Sequence, residues 1–538
     1  MEIKDFATVN PAKPGFRVND FLANGPVAEA WNLVNGHWQE LGNSRSRRII
    51  DPLTGQPMID VPAPSIEELA PFGEHLKNCP LGGRHNPRKH EERYLMLGRV
   101  CKKAAEALAE QEVEDFFTQL IQRVMPKSDA QCRGEVRVTC AFLANYGSDR
   151  VRFLATGTTS PGDHAGQRIT NQRHPYGPVV VIAPFNFPLE IPVLQVMGAL
   201  FMGNAPLVHV DQRVAVVFHQ FVRLLHSCGL PLDEIDLMTC EGKIMGEFLD
   251  MYKNDIALVQ FTGSSEVAGL VSQTMNGRIK KEDAGFDWKI LGPDYSPEWL
   301  EYIAHQSDQD AYAASGQKCS AQSLLAWHNN WPRETLIAAL QRMAQRRSLQ
   351  DLTIGPVLSW TTRQMLDHVR RLCELEGAEL LFGGKELTGH NIPECYGALE
   401  PTAVFVPLKT ILQDEATRQL VTTEVFGPVQ VLTEFDDASL EQLIELLASL
   451  DHRLTAAVVS NDPLFVNNIV GHVVNGTTYV GMRARTTGAP QNHWFGPHGD
   501  PRDAGIGTDE AIRLTWSCPV CVIEDPGPIP ASWTPTLS

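Results

Sequence analysis

The chain has 538 residues, of which 43% are hydrophobic and 20% are charged, and its formal net charge is −18 at pH 7. At roughly 150 residues per domain, this length allows about three or four units and a large core. The acidic balance argues against a nucleic-acid partner and against an anionic membrane surface. The eleven cysteines are odd in number and lack framework spacing, which indicates a reducing compartment.

The N-terminus begins with Met1-Glu2-Ile3-Lys4-Asp5, which resembles neither a signal peptide nor an arginine-rich transit segment. We therefore expect a cytoplasmic protein, or one whose presequence is left out of this sequence. The most apolar stretch, residues 179–202, contains three prolines as well as Asn186 and Glu190. We do not expect it to cross a membrane.

Apolar runs that are typical of buried strands alternate with helical patterns along the chain. The predicted strands are residues 179–182, 205–208, 256–261, 324–327 and 456–459, and the clearest helical patterns are residues 211–228 and 440–450. Strands that alternate with helices predict an α/β fold with a parallel sheet.

A candidate phosphate-binding turn follows the predicted strand 256–261. Gly263 and Ser264 lie between this strand and a helical pattern, where the free N–H groups of a helix N-terminus attract phosphates. The turn lacks the Gly-x-Gly-x-x-Gly fingerprint, so an ordinary strand-to-helix turn is the alternative interpretation.

The candidate nucleophile is Cys319, which follows a helix-like run and Gly316. A thiolate attacks an aldehyde carbonyl and later leaves from a thioester, and Lys318 could favour that thiolate. The oxyanion of the adduct needs donors, such as the side-chain amide of Asn186 and the backbone N–H of Cys319. Thioester hydrolysis needs a base, for which Glu282 is the candidate. Taken alone, Glu282 would be interpreted as part of a solvated charge cluster and Asn186 as a turn residue.

Together with Glu424-Val425-Phe426-Gly427-Pro428, these segments occur in the order found in the aldehyde dehydrogenase superfamily, which the chain resembles. The resemblance implies the same catalytic roles for Cys319, Glu282 and Asn186. It also implies an aldehyde dehydrogenase fold, with a Rossmann-like cofactor domain, an α/β catalytic domain and a small β oligomerisation arm. The implied cofactor is NAD, bound by Ala183, Pro184, Phe185, His209, Asp211, Gly263, Ser264, Glu424 and Phe426.

One departure from the superfamily concerns cofactor choice. The usual Gly-Asn-x-x-x-x-Lys pattern ends here in His209, which can donate to a hydroxyl but carries no permanent charge. Asp211 would repel a 2′-phosphate, whereas Arg213 could bind one. We therefore expect NAD and leave NADP open.

Longer segments resemble the plant-type pyrroline-5-carboxylate dehydrogenases, which oxidise glutamate γ-semialdehyde to glutamate in proline catabolism. These segments are residues 281–294, 308–312, 316–323 and 486–497, and the likeness runs from about residue 15 to residue 524. The resemblance implies a subsite for the substrate carboxylate at Ser320, Gly488 and Ala489, with Phe495 against the aliphatic stem. Other branches often have serine at the position of Ala489, so one side-chain donor is missing.

The resemblance also implies how the chain is organised. An NAD-binding domain would comprise residues 1–150 and 173–292, and a catalytic domain residues 293–498. An arm and tail would comprise residues 151–172 and 499–538. Edge strands in such an arm need partners, so we expect a homodimer or a higher homo-oligomer. By the same resemblance the protein belongs in the mitochondrial matrix, with the cytoplasm as the alternative.

Three other functions stay open on sequence alone. A CoA-acylating dehydrogenase would use Cys319 but has no need of Glu282. A dehydrogenase for another semialdehyde or an aliphatic aldehyde is the second, and a catalytically silent NAD-binding protein, suggested only by His209, is the third.

Cys518 and Cys521 form a lone Cys-x-x-Cys without a second pair, so we expect neither a metal site nor a redox motif.

Overall fold

The computed structural model describes residues 28–41, 45–80, 82–283, 285–488 and 490–537. In these ranges the strands are β1 Ala28–Glu29, β2 Asn32–Val34, β3 His37–Gln39, β4 Ser46–Ile50, β5 Pro57–Pro62, β6 Thr158–Pro161, β7 Arg168–Pro175, β8 Pro178–Ala183, β9 Ala205–Val210, β10 Asp236–Leu237, β11 Leu258–Gly263, β12 Ile279–Asp283, β13 Asp287–Leu291, β14 Gln322–His328, β15 Glu379–Phe382, β16 Thr402–Phe405, β17 Val429–Phe435, β18 Thr455–Val459, β19 Thr477–Val480 and β20 Ser517–Glu524.

Helices connect these strands and cover the sheets. The α-helices are Ala70–Lys77, Glu92–Leu108, Gln111–Val124, Asp129–Asn145, Glu190–Met202, Ala215–Ser227, Gly242–Tyr252, Ser265–Thr274, Leu300–Tyr312, Arg333–Ala344, Thr362–Cys373, Leu408–Ile411, Glu415–Val421, Leu440–Ala448, Pro463–His472 and Asp509–Trp516. Short 3-10 helices lie at Glu67–Leu69, Arg150–Ala155, Pro297–Trp299 and Ala313–Gly316.

The first large sheet has seven strands in the order β12-β11-β8-β9-β10-β2-β3. Its strands from β12 to β10 are parallel, and β2 and β3 add antiparallel pairs at one edge. The predicted strands 179–182, 205–208 and 256–261 are confirmed as β8, β9 and β11. The helix predicted over 211–228 begins only at Ala215, because the Asp211 carboxylate accepts a hydrogen bond from the backbone N–H of Arg213 and forms a turn first.

The second large sheet also has seven strands, in the order β15-β16-β17-β14-β13-β18-β19. It is parallel except for the β15–β16 pair, and it contains the predicted strands 324–327 and 456–459 as β14 and β18. Strand β13 is buried along its whole length, as expected for a central parallel strand covered on both faces. Residues 287–291, which the sequence analysis placed in the first domain, therefore lie at the centre of the second sheet.

The chain passes from one large sheet to the other between Asp283, the last residue of β12, and Asp287, the first residue of β13. Glu282 lies at the carboxyl end of β12, immediately before this passage. Ligands of open α/β sheets bind beyond the carboxyl ends of the strands. The crossing therefore places Glu282 where the two sheets can share a site.

A three-stranded antiparallel sheet in the order β20-β7-β6 brings the C-terminal part of the chain onto residues 158–175. Its outer strand β6 is exposed along its length.

Cys518 and Cys521 are free thiols on β20. They are three residues apart on a strand and thus point to opposite faces, so they do not form one pair of ligands. Among the described residues, no helix combines the length and apolar character needed to span a bilayer.

Candidate active site

A cavity of about 400 Å³ brings together most of the residues predicted for catalysis and substrate binding. Cys319, Glu282, Ser320, Gly488 and Phe495 all line it. These residues come from β12, from the turn before β14 and from the loop after β19, which lie far apart in sequence. The predicted substrate residue Ala489 lies outside the described residues.

A strained turn presents the cysteine. Ala314 and Ser315 adopt left-handed backbone angles, with φ of 54° and 56°, at a cost of about 1–3 kcal/mol each. Ser315 offsets part of this cost, because its hydroxyl donates to the carbonyl of Gly355 at 3.0 Å and accepts from its N–H at 2.8 Å. Gly316 follows with φ of 72°, and a Cβ there would lie 2.1 Å from the carbonyl oxygen of Gly427. Only glycine allows the Cys319 turn to pack this closely against the segment that carries Glu424.

The electrostatic surroundings of the thiol are acidic. Burial raises the pKa of Cys319 well above its ordinary value, and the carboxylates of Glu282, Asp287 and Glu424 raise it further. Burial raises the pKa of Glu282 to about 7, and the neighbouring Cys319 thiol lowers it in part. The carboxylate oxygen Oε1 of Glu282 is buried and has no protein partner among the described residues. The carboxylate can therefore accept the thiol proton, and it has an oxygen left for a water molecule.

Lys318 lines the same cavity as Cys319, but its ammonium group donates to the backbone carbonyl of Gln309 at 2.9 Å. The main causes that raise the pKa of Cys319 are burial and carboxylates, and Lys318 is not among them. Burial lowers the pKa of Lys318 to about 8. The suggestion that Lys318 favours the thiolate stays a prediction.

Asn186 lies between β8 and the helix Glu190–Met202 and is only 1% exposed. Among the described residues its side-chain amide makes no hydrogen bond to protein, and its oxygen is buried. The amide N–H groups are therefore not engaged by protein, and their donation to an oxyanion stays a prediction.

A buried ion pair that the sequence analysis missed supports the Asn186 loop. The Nζ atom of Lys127 donates to Oε2 of Glu135 at 2.7 Å and to the backbone carbonyl of Asn186 at 3.0 Å. The other oxygen of Glu135 accepts the N–H groups of Leu189 and Glu190 at 2.8 and 3.1 Å. Buried charges persist only when they are paired. Sequence offered no signal for this pair, because both residues resemble ordinary surface charges.

A second cavity, of about 560 Å³, is lined by His209, Asp211 and Arg213, together with Arg47 and Tyr396. The Nδ1 atom of His209 lies 3.1 Å from the carbonyl of Met238. A carbonyl only accepts, so Nδ1 carries the proton and Nε2 is left as an acceptor. Burial also lowers the pKa of His209, which favours the neutral ring. His209 can thus accept from a ribose hydroxyl, rather than donate to one as the sequence analysis expected.

Asp211 and Arg213 neutralise each other in this second cavity. Arg213 donates from Nε to Oδ1 at 2.9 Å and from Nη2 to Oδ2 at 2.5 Å. Burial alone would raise the pKa of Asp211, but the guanidinium holds it below its ordinary value. The Arg213 guanidinium also lies 4.5 Å from the centre of the Phe185 ring. The sequence suggested that Asp211 would repel a 2′-phosphate and that Arg213 would bind one. In the structure these two residues form an ion pair with each other.

The remaining predicted cofactor residues lie at or after strand ends, at a helix end, and in the segment of Glu424 and Phe426. Ala183 ends β8 and Pro184 follows it, while the rings of Phe185 and Phe426 meet edge to face at 6.0 Å. Burial raises the pKa of Glu424 to about 8, which the N–H of Gly285 partly opposes.

Gly263 ends β11, and Ser264 is the N-terminal cap of the helix Ser265–Thr274, where its side chain makes no capping hydrogen bond. The first N–H groups of this helix are therefore not capped by Ser264. An anion such as a phosphate can accept hydrogen bonds from such groups, and a phosphate site here stays a prediction.

Comparison with known proteins agrees with this architecture. Residues 42–512 match the family described as "Aldehyde dehydrogenase family". Over 512 residues the chain is 53% identical to "Delta-1-pyrroline-5-carboxylate dehydrogenase 12A1, mitochondrial" of Arabidopsis thaliana, covering 95% of this chain and 91% of that protein. It is also 53% identical over 512 residues to a "Probable aldehyde dehydrogenase" of Linum usitatissimum, covering 95% of this chain and 92% of that protein.

Solved structures share the fold. The NAD-dependent aldehyde dehydrogenase from Sinorhizobium meliloti superposes with a TM-score of 0.80 at 19% identity, covering 94% of this chain and 97% of that structure. The predicted fold class is thereby confirmed. With a family match over most of its length, the chain belongs to the aldehyde dehydrogenase family.

Proposed function

We propose that the protein oxidises glutamate γ-semialdehyde to glutamate with NAD as the hydride acceptor. The observation that carries the proposal is the cavity that combines Cys319 and Glu282 with Ser320 and Gly488. The first two provide a nucleophile and a base, and the last two provide hydroxyl and N–H donors for a carboxylate. The Arabidopsis relative, named a pyrroline-5-carboxylate dehydrogenase and 53% identical over 95% of this chain, supports the same substrate.

The residues fit a dinucleotide. The helix at Ser265 begins without a side-chain cap and would hold phosphate. The cavity at His209 and Asp211 would hold the adenosine ribose, and Glu424 the nicotinamide ribose. The chemistry that NAD supplies when bound is hydride acceptance, which converts the cysteine adduct into a thioester.

Three side chains of the site carry out the remaining steps. Cys319 gives its proton to Glu282 and adds to the aldehyde carbon, forming a thiohemiacetal. The amide of Asn186 donates to the oxygen of this adduct, and one such donor contributes roughly 10² to 10³ in rate. Glu282 releases the Cys319 proton to solvent before hydrolysis. It then takes a proton from the water that attacks the thioester carbon, and the Cys319 thiolate leaves. A pKa of about 7 suits Glu282 to accept protons at neutral pH.

The proposed substrate predicts a selective effect at Ser320, which is 8% exposed at the cavity wall. Ser320→Ala is expected to raise KM for glutamate γ-semialdehyde about tenfold or more, because a hydrogen bond to a charged group contributes about 1.5–3 kcal/mol. KM for pentanal, which has no carboxylate, should change little. Steady-state NADH production with both aldehydes measures the two values. Equal effects would mean that Ser320 supports the Cys319 turn, and would favour a dehydrogenase of another aldehyde.

Cofactor choice is expected to depend on the Asp211–Arg213 pair. We expect higher kcat/KM with NAD than with NADP. Arg213→Gln should lower kcat/KM for NADP about tenfold more than for NAD, because it exposes an unpaired Asp211 carboxylate to the 2′-phosphate. Initial rates with each cofactor at saturating aldehyde test this. A preference of the unmodified protein for NADP would contradict the assignment.

We propose the following organisation from the sheets. The NAD-binding domain comprises residues 1–150 and 173–283, and the catalytic domain comprises residues 287–498, because β13 pairs with β14 and β18. Residues 151–172 and 499–538 form the arm and tail, and the exposed edge of β6 supports a homodimer or higher homo-oligomer. The name of the Arabidopsis relative supports the mitochondrial matrix.

A further inference from the structure

Two cationic side chains, Lys318 and Arg485, line the cavity that holds Cys319. Three acidic residues line the same cavity. Glu135 pairs with Lys127, and burial raises the pKa of Glu282 to about 7 and that of Glu190 to about 8. Lys318 and Arg485 have no role in the steps proposed for the nucleophile and the base.

A single buried carboxylate organises Arg485 and the residues that lead to Gly488. Asp310, which is 0% exposed, accepts Nζ of Lys289 at 2.7 Å and the backbone N–H of Thr486 at 3.0 Å. It also accepts the hydroxyl of Thr487 and both Nε and Nη2 of Arg485, each at 3.2 Å. Asp310 thereby fixes the guanidinium and the loop as one unit.

One nitrogen of the Arg485 guanidinium is not used by these contacts. Among the described residues, Nη1 of Arg485 makes no hydrogen bond, and it lies 3.6 Å from the position that a Cβ would take on Gly488. The Arg485 side chain is 33% exposed. The free edge of the guanidinium therefore lies beside Gly488, whose backbone N–H is proposed to bind the substrate carboxylate.

Positive charge is in excess around Asp310. Lys289 and Arg485 both contact this one carboxylate, and Lys318 acts on it through space while its ammonium group bonds only a neutral carbonyl. Burial alone would raise the pKa of Asp310, but these three cations hold it below its ordinary value, so the carboxylate is ionised. An anionic ligand in the cavity would offset the remaining charge.

We propose that Arg485 is a charged anchor for the carboxylate of the substrate, held in position by Asp310. This inference rests on the proposed function and adds a residue to its carboxylate subsite. A guanidinium binds a carboxylate through paired, charge-assisted hydrogen bonds, and a side chain that is already fixed loses little entropy on binding. Arg485, the Ser320 hydroxyl and the Gly488 N–H group would then act on the same oxygens.

The test compares Arg485→Met and Arg485→Lys with Arg483→Met, a matched control at an exposed arginine on the same loop. KM and kcat are measured for glutamate γ-semialdehyde and for pentanal. Arg485→Met is expected to raise KM for the semialdehyde about 10- to 100-fold and to leave KM for pentanal within about twofold. Arg485→Lys should recover part of the loss, and Arg483→Met should match the unmodified protein.

Inhibition by glutarate gives a second readout that does not require the semialdehyde to be a substrate. Glutarate should compete with pentanal in the unmodified protein, and Arg485→Met should raise its inhibition constant about as much as it raises KM for the semialdehyde. Comparison of Tm for the variants identifies any loss of folding.

The outcomes separate the inference from the proposed function. If Arg485→Met raised KM for both aldehydes equally, or changed neither, Arg485 would not be an anchor, and the inference would be overturned. The proposed function would survive as long as the unmodified protein still preferred the semialdehyde. If the unmodified protein oxidised both aldehydes equally well and ignored glutarate, the proposed function itself would fail.

Discussion

Replacing Cys319 with serine is expected to lower steady-state aldehyde oxidation by on the order of 10³-fold or more, as when a nucleophile is removed from other enzymes. Burial, followed by the carboxylates of Glu282, Asp287 and Glu424, already raises the pKa of the thiol. A serine hydroxyl, which ionises far less readily than a thiol, would form almost no alkoxide in these surroundings. NAD affinity should remain the same, because the cofactor residues lie on other elements.

NADH formation and calorimetric NAD binding test this prediction together. Cys373→Ser is a suitable control, since Cys373 is a partly buried free cysteine at the end of the helix Thr362–Cys373. The control should keep full activity. Near-normal turnover of Cys319→Ser would show that another group attacks the aldehyde.

Sequence predicted the central strands of both large sheets because β8, β9, β11, β14 and β18 are continuous apolar runs buried on both faces. It did not predict the short strands β2, β3 and β10, because they have only two or three residues each and β10 pairs with β2 from far along the chain. The predicted division near residue 292 left β13 in the first domain, whereas β13 pairs with β14 and β18 of the second sheet, because an apolar run does not reveal which sheet it joins.

For the candidate site, residue type and order named Cys319, Glu282 and Asn186 as catalytic candidates, and the cavity places Cys319 and Glu282 together. The supporting ion pairs were not identified, since Arg485 contacts Asp310 across 175 residues and no local pattern marks such a pair. Arg485 immediately precedes the segment 486–497 that the sequence analysis had singled out, and that position was the available signal.

Glu282→Gln is expected to separate the two halves of the reaction. Hydride transfer precedes thioester hydrolysis, the step in which Glu282 is the base for water, so a single burst of about one NADH per active site should remain. The burst should be slower than in the unmodified protein, because the Cys319 thiol loses the carboxylate that accepts its proton. Steady-state turnover should fall by about 10² to 10⁴, the usual contribution of a general base.

The pH profile provides the sharper test. Burial raises the pKa of Glu282 to about 7, and a general base acts in its deprotonated form. Thioester hydrolysis in the unmodified protein should therefore accelerate as pH rises through about 7, and Glu282→Gln should lose this step in the profile. Rapid-mixing measurements of the burst and of the following steady state, at several pH values, record both phases, with the exposed Glu334→Gln as the control. If the variant lost the burst and the steady state equally, Glu282 would serve binding or structure instead of hydrolysis, and the CoA-acylating alternative would regain support.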